Sequence, residues 1–131
     1  MDAAADNRRR FARLDLALSV SYRLLDGGTI IHDPREALSS DISVGGLRLM
    51  TPTELPTGSA VELLVTLEGS ADKPVVATGE VVWQHRLNAT SYETGVIITE
   101  MPDADRSRFM QFVFDQMSKI VTPLGSSGTI K

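Results

Sequence analysis

The residues in this sequence best suited to chemistry fall into two clusters. The first is Arg8-Arg9-Arg10-Phe11-Ala12-Arg13 and the second is Asp41-Ile42-Ser43-Val44-Gly45-Gly46. An arginine keeps its charge and presents a planar fork of donors that matches a phosphate group. The same fork can pair with O6 and N7 of guanine or stack on its face. Arg9 and Arg13 are four residues apart. They share one face of a helical turn and also one side of an extended segment, so either geometry takes both to one ligand. Asp41 is an acceptor-only carboxylate when ionised, which suits the N1–H and N2–H₂ donors of guanine. Ser43 donates or accepts, and its spacing puts it on the same strand face as Asp41. Gly45 and Gly46 carry no Cβ and let a ligand approach the backbone. Asp15 and Arg48 alternate with leucines, on outward faces near the two clusters, and are secondary candidates.

Catalytic readings find little support. Ser43 as a nucleophile would need glycine two residues before it, where Asp41 stands. No Gly-Lys-Ser/Thr phosphate loop is present. The sequence has no cysteine and two histidines, His32 and His85, with no ligand-like spacing around either. Disulfides and thiolate metal sites are therefore excluded, and no metal or catalytic residue is expected. The chain reads as a binding protein and not as an enzyme.

Charge is unevenly distributed. Of 13 Lys/Arg and 17 Asp/Glu, residues 1–13 hold four arginines against Asp2 and Asp6, a net of +2. The remaining residues, 14–131, carry a net of −6. A basic front on an acidic body repels bulk nucleic acid yet can capture a small anion locally. Trp83, Tyr22 and Tyr92 are too few to serve as the stacking platforms of a single-strand site. DNA and RNA are not expected as partners. There is no run of about 18 apolar residues to span a membrane, and no apolar stretch follows the N-terminal arginines as in a secretory signal. A cytoplasmic location is the default expectation.

The elements that must position these clusters are mainly strands. Leu14, Leu16, Leu18, Val20, Tyr22 and Leu24 alternate with Asp15, Ala17, Ser19, Ser21 and Arg23, the period of a half-buried strand. Asp26-Gly27-Gly28 supplies the turn that follows. Ile30 and Ile31 precede a loop at His32-Asp33-Pro34, and a brief strand is expected near Ala37 to Ser40. The Asp41–Gly46 cluster reads as a strand junction, followed by Leu47 and Leu49 alternating with Arg48. Val61 to Leu67 forms the next strand after Pro52, Pro56 and Gly58. Val75, Ala77, Gly79, Val81 and Trp83 face one way on another, where Gly79 marks a bulge or a close backbone contact and Trp83 belongs to the core or the barrel rim. Tyr92 to Thr99 is the last strand. The period then changes: Phe109, Phe112, Val113 and Ile120 have helical spacing, with Asp103 as N-cap and the phenylalanines, like Tyr22, expected in the core. The fold class expected is all-β, a small antiparallel barrel or sandwich with a C-terminal α-helix. Its parts are an N-terminal arm over 1–13, the barrel and helix over 14–120, and a disordered tail over 121–131.

Arg9-x-x-x-Arg13 followed by Asp41-x-Ser43-x-x-Gly46 resembles the paired signature of PilZ domains, receptors for the bacterial second messenger cyclic di-GMP. Similar segments continue in the long first strand, in Gly79-Glu80-Val81-Val82-Trp83, in Tyr92-Glu93-Thr94-Gly95-Val96 and in the closing helix, over roughly residues 7–120. Ile98 stands where the family often has phenylalanine, a departure that leaves the ligand motifs untouched. The resemblance implies a six-stranded antiparallel β-barrel with a C-terminal helix. It implies that Arg9 and Arg13 contact phosphates and guanine, that Asp41 and Ser43 contact the base, and that Gly46, next to Gly45, admits it. Arg8 would neutralise further phosphate charge. Cyclic di-GMP would be a ligand and not a cofactor, and its binding would order the flexible arm and signal to a protein partner that the sequence does not name. The chain itself would be a monomer or a weak homodimer. The competing reading is a nucleotide-independent adaptor in pilus or flagellar motility.

Overall fold

The computed structural model describes residues 14–68 and 73–129, with side chains through residue 119. Seven strands run β1 Ser19–Asp26, β2 Thr29–Ile30, β3 Arg35–Ser43, β4 Gly46–Thr51, β5 Ala60–Val65, β6 Val75–Asn88 and β7 Ser91–Glu100, and helix α1 spans Asp103–Thr129. All pairings are antiparallel, in the order β2-β1-β3-β4-β7-β6-β5, and β5 pairs again with β1. Six strands thus close into a barrel, and the two-residue β2 hangs from β1 as a hairpin. Gly27 and Gly28 turn that hairpin with φ of 62° and 85°, values open to glycine at no steric cost. The helical backbone runs on through Thr129, into the stretch that reads as a tail in the sequence.

The period of two from Leu14 to Leu24 is matched by burial: Leu14, Leu18, Val20 and Tyr22 are buried while Asp15, Ala17 and Ser19 are exposed. Ladder pairing begins only at Ser19. The preceding residues are held against β3 by a side chain instead. Ser39 Oγ accepts from Leu18 N at 2.8 Å and donates to the Leu16 carbonyl, and Ser39 N donates to Leu18 O at 2.9 Å. Inside the barrel, Val20, Leu49, Val61, Leu63, Val65, Val75, Ala77, Val81 and Val96 form the core with Tyr22 and Ile42. Burial of such side chains contributes about 1.5–3 kcal/mol each. Helix α1 adds Phe109 and Val113 to this core, and Asp105 Oδ2 accepts from Val76 N at 2.8 Å to seat its first turns on β6.

Three expectations are corrected. The brief strand near Ala37–Ser40 and the junction beyond it are one strand, β3, because the bulge at Ser40 lets pairing with β4 continue to Ser43; only Val44 and Gly45 turn. Trp83 does not share the inward face of Val75, Ala77 and Val81. A register shift between Val81 and Trp83 inserts Val82 and turns Trp83 to the outer surface, 39% exposed. Of the helix phenylalanines, Phe109 is buried, Phe112 half-buried and Phe114 half-exposed on the outer side. Gly79 fulfils both of its readings: the register shifts there, and a Cβ on it would stand 2.6 Å from the Ile97 carbonyl. Val81 still bonds Gly58 and Ser59 ahead of β5; beyond it, among the described residues, β6 pairs with β7 alone.

Candidate functional site

The bulge at Ser40 sets the geometry of the second cluster. Before it, Ala37 and Ser39 point inward; after it, Ile42 does, and Asp41 and Ser43 stand together on the other face. The Val44–Gly45 turn is so short that β4 folds straight back beside them. Asp41 pairs with Arg48, Ile42 with Leu47 and Ser43 with Gly46. Ser43 Oγ accepts from Gly45 N at 3.3 Å and donates to the Gly46 carbonyl at 3.4 Å, so the hydroxyl braces its own turn. Gly45 O accepts from Ile98 N at 3.0 Å, which ties the turn to β7.

Leu14, the residue that follows the N-terminal cluster, is held at the same place. Leu14 N donates to Ile42 O at 2.8 Å and Ile42 N donates to Leu14 O at 2.9 Å, a two-bond bridge centred between Asp41 and Ser43. Arg8, Arg9 and Arg13, with the arm expected over 1–13, lie outside the described residues. A family model of the PilZ domain matches residues 7–115, a span that takes in both clusters. The chain belongs to the PilZ domain family.

Among solved structures, the Bacillus subtilis inhibitor of motility MotI/DgrA superposes with a TM-score of 0.68 at 16% identity, covering 86% of this chain and 52% of that one. The PilZ domain of Escherichia coli YcgR, solved with c-di-GMP, gives 0.62 at 12% identity, covering 90% and 98%. The PilZ domain of CeSA from a cellulose-synthesising bacterium gives 0.54 at 18% identity, covering 80% and 97%. At these identities the likeness is one of fold, and the chain spans about half the length of MotI. No curated protein matches the sequence.

Within this PilZ domain the outer face is more elaborate than its sequence motif. Asp41, Arg48, Gly95 and Trp83 form one row across β3, β4, β7 and β6, since Asp41 pairs with Arg48, Arg48 with Gly95 and Gly95 with Trp83. Arg48 Nη2 lies 2.9 Å from Asp41 Oδ2, and its Nη1 lies 3.7 Å from Glu93 Oε2. Its guanidinium carbon sits 5.8 Å from the centroid of the Trp83 ring, within cation–π range. The Asp41 side chain is only 7% exposed and that of Arg48 33%, so the pair is part-screened from water. Ser40 Oγ donates to Glu93 Oε2 at 3.3 Å and completes the polar row.

Gly46 lies close against β7. A Cβ there would overlap the Val96 carbonyl, so the close approach that this glycine permits is that of β7. Arg48 was legible as outward-facing, but its ion pair with Asp41 depends on the length of the turn. Trp83 and Glu93 lie in the family-like segments, but their meeting with Arg48 was not legible, because the bulge that turns Trp83 outward has no local signal. Among the described residues there is no group of three or more His, Asp or Glu side chains able to hold a metal, and no helix long and apolar enough to cross a membrane.

Proposed function

We propose that this PilZ domain is a cytoplasmic receptor for cyclic di-GMP, which it binds between Arg9 and Arg13 of the N-terminal segment and the Asp41–Ser43 face of β3. The observation that carries the reading is the Leu14–Ile42 bridge. Arg13 is bonded to Leu14, and consecutive Cα atoms are about 3.8 Å apart. Leu14, the residue that follows the arginine cluster, is bonded between the residues that carry the carboxylate and the hydroxyl, which supports the reading. Arginine forks supply charge-assisted bonds to the two phosphates, and Asp41 accepts from the guanine edge. Arg8 adds positive charge, and Gly45 offers backbone at the rim.

Energetics favour a switch over a rigid pocket. Fixing the six residues 8–13 costs about 1–2 kcal/mol each. Charge-assisted hydrogen bonds return about 1.5–3 kcal/mol each, and about four or five are within reach of one dinucleotide. The two sums nearly cancel, so the arm orders only when ligand supplies the bonds. The ordered arm then offers a protein partner a surface absent without the nucleotide. The adaptor reading that dispenses with nucleotide has no observation in its favour.

Calorimetric titration with cyclic di-GMP tests this. Arg9→Ala, Arg13→Ala and Asp41→Ala should each weaken binding by about tenfold or more, one lost charged bond at 1.5–3 kcal/mol. Absence of heat from the unmodified protein at tens of micromolar ligand would falsify the reading.

A further inference from the structure

Arg48 lies outside the two motifs, yet it is the described residue in direct ionic contact with the base-recognising carboxylate. We propose that Arg48 is a positioning residue that aims Asp41 and thereby sets the preference of the site for guanine over adenine. The proposal rests on the cyclic di-GMP reading above.

The argument starts from how Arg48 is held. Its Cα is fixed opposite Asp41 by β3–β4 pairing and opposite Gly95 by β4–β7 pairing. Gly95 has no side chain, and the Trp83 indole fills the space a Cβ would take. The ring flanks the guanidinium on one side, and Glu93 draws Nη1 from another. Arg48 Nε is buried without a hydrogen-bond partner. That is an uncompensated cost, which places the value of this side chain in its Nη groups and their direction. An arginine gripped in this way is a fixed post and not a mobile surface charge. The carboxylate it grips, through Oδ2, is mostly buried.

The chemistry of the two bases then makes direction matter. Guanine presents two adjacent donors, N1–H and N2–H₂, to a carboxylate. Adenine presents one donor, N6–H₂, beside the acceptor N1. A carboxylate held in one plane accepts two bonds from guanine and meets a lone pair on adenine. A carboxylate turned out of that plane loses one of the two guanine bonds, while the single adenine bond is little affected. A side chain that merely attracted phosphate would raise the affinity for both dinucleotides alike. A side chain that aims Asp41 raises the ratio between them.

The test measures Kd for cyclic di-GMP and for cyclic di-AMP with the full chain and with Arg48→Gln, Arg48→Lys and Trp83→Phe. Arg48→Gln should weaken cyclic di-GMP binding about tenfold, the scale of one charged hydrogen bond, with little change for cyclic di-AMP, so that the selectivity ratio falls. Arg48→Lys restores charge but not the planar fork, and should recover only part of the lost ratio, again with little change for cyclic di-AMP. Trp83→Phe keeps an aromatic flank and serves as the folded control should Arg48→Gln unfold; it should lower the ratio by a smaller factor. Thermal melts of each variant establish that the barrel is intact. Equal losses for both dinucleotides, or an unchanged ratio in folded Arg48→Gln and Trp83→Phe, overturn the positioning role while leaving the receptor reading in place. Failure of the unmodified chain to bind cyclic di-GMP overturns both.

Discussion

The indole of Trp83 occupies the space that a side chain on Gly95 would need: a Cβ there would overlap its Nε1 and Cε2. The two residues pair across β6 and β7, so the tryptophan is laid over its own neighbour by the barrel's register. Gly95→Ala should expel the ring and free Arg48, destabilising the fold by about 1–3 kcal/mol as overpacking does. Trp83 is the sole tryptophan, so its emission reports the displacement directly. In the double variant with Trp83→Ala the penalty of the alanine should largely vanish. Additive losses would refute the overlap.

Gly46→Ala meets backbone and not a side chain. The Val96 carbonyl it would strike is part of the β4–β7 ladder and cannot rotate away. The loss should exceed that of Gly95→Ala, at or beyond the upper end of about 1–3 kcal/mol. Urea denaturation of the two variants side by side checks the order.

Ser39→Ala strips the bonds that hold Leu16 and Leu18 to β3. Leu18 N is left without that acceptor in a buried setting, a cost of about 1–3 kcal/mol. Because this stretch leads to the Leu14–Ile42 bridge, hydrogen exchange should rise first at Leu14, Leu18 and Ile42. Uniform acceleration across the barrel would show that Ser39 serves the whole core.

Phe109→Ala removes the largest fully buried side chain among the described residues of α1. Large-to-small changes of this kind cost about 3–5 kcal/mol. The barrel closes through its own strands, so the helix should loosen while β-sheet circular dichroism persists. Coincident loss of both signals would make the helix integral to barrel folding.

Ligand should stabilise the folded chain by mass action. At about a hundredfold excess over Kd, cyclic di-GMP adds about 2.7 kcal/mol, visible as a rise in Tm that Arg13→Ala, binding about tenfold more weakly, should cut to about half or less.

How much of this was legible in the sequence depends on what produces each feature. The alternation from Leu14 to Leu24 declared a half-buried segment, and Gly27-Gly28 declared its turn, because both are local. The family was readable from two motifs whose order and residue types carry it. Apart from the shift that Gly79 marked, features created by bulges were not readable. The extra residues at Ser40 and Val82 follow no local pattern, yet they decide that Asp41 faces Arg48 and that Trp83 faces outward. Buried threonines were likewise unmarked: Thr51 and Thr94 lie 3.1 Å apart inside the barrel, joined by Gln84 at 2.9 Å, a network that arises only when β4, β6 and β7 meet.

The length mismatch between β5 and β6 has a consequence for solution behaviour. Among the described residues, Val82 to Asn88 pairs with a strand on one side only, so its other margin is a template on which a second chain could polymerise. The kinks inserted at Val82 and Leu87 and the cation of Arg86, whose Nε bonds the Asn88 carbonyl, spoil that margin as a mould for flat cross-strand growth. Removing those irregularities would straighten the margin and should raise its tendency to pair with a second chain.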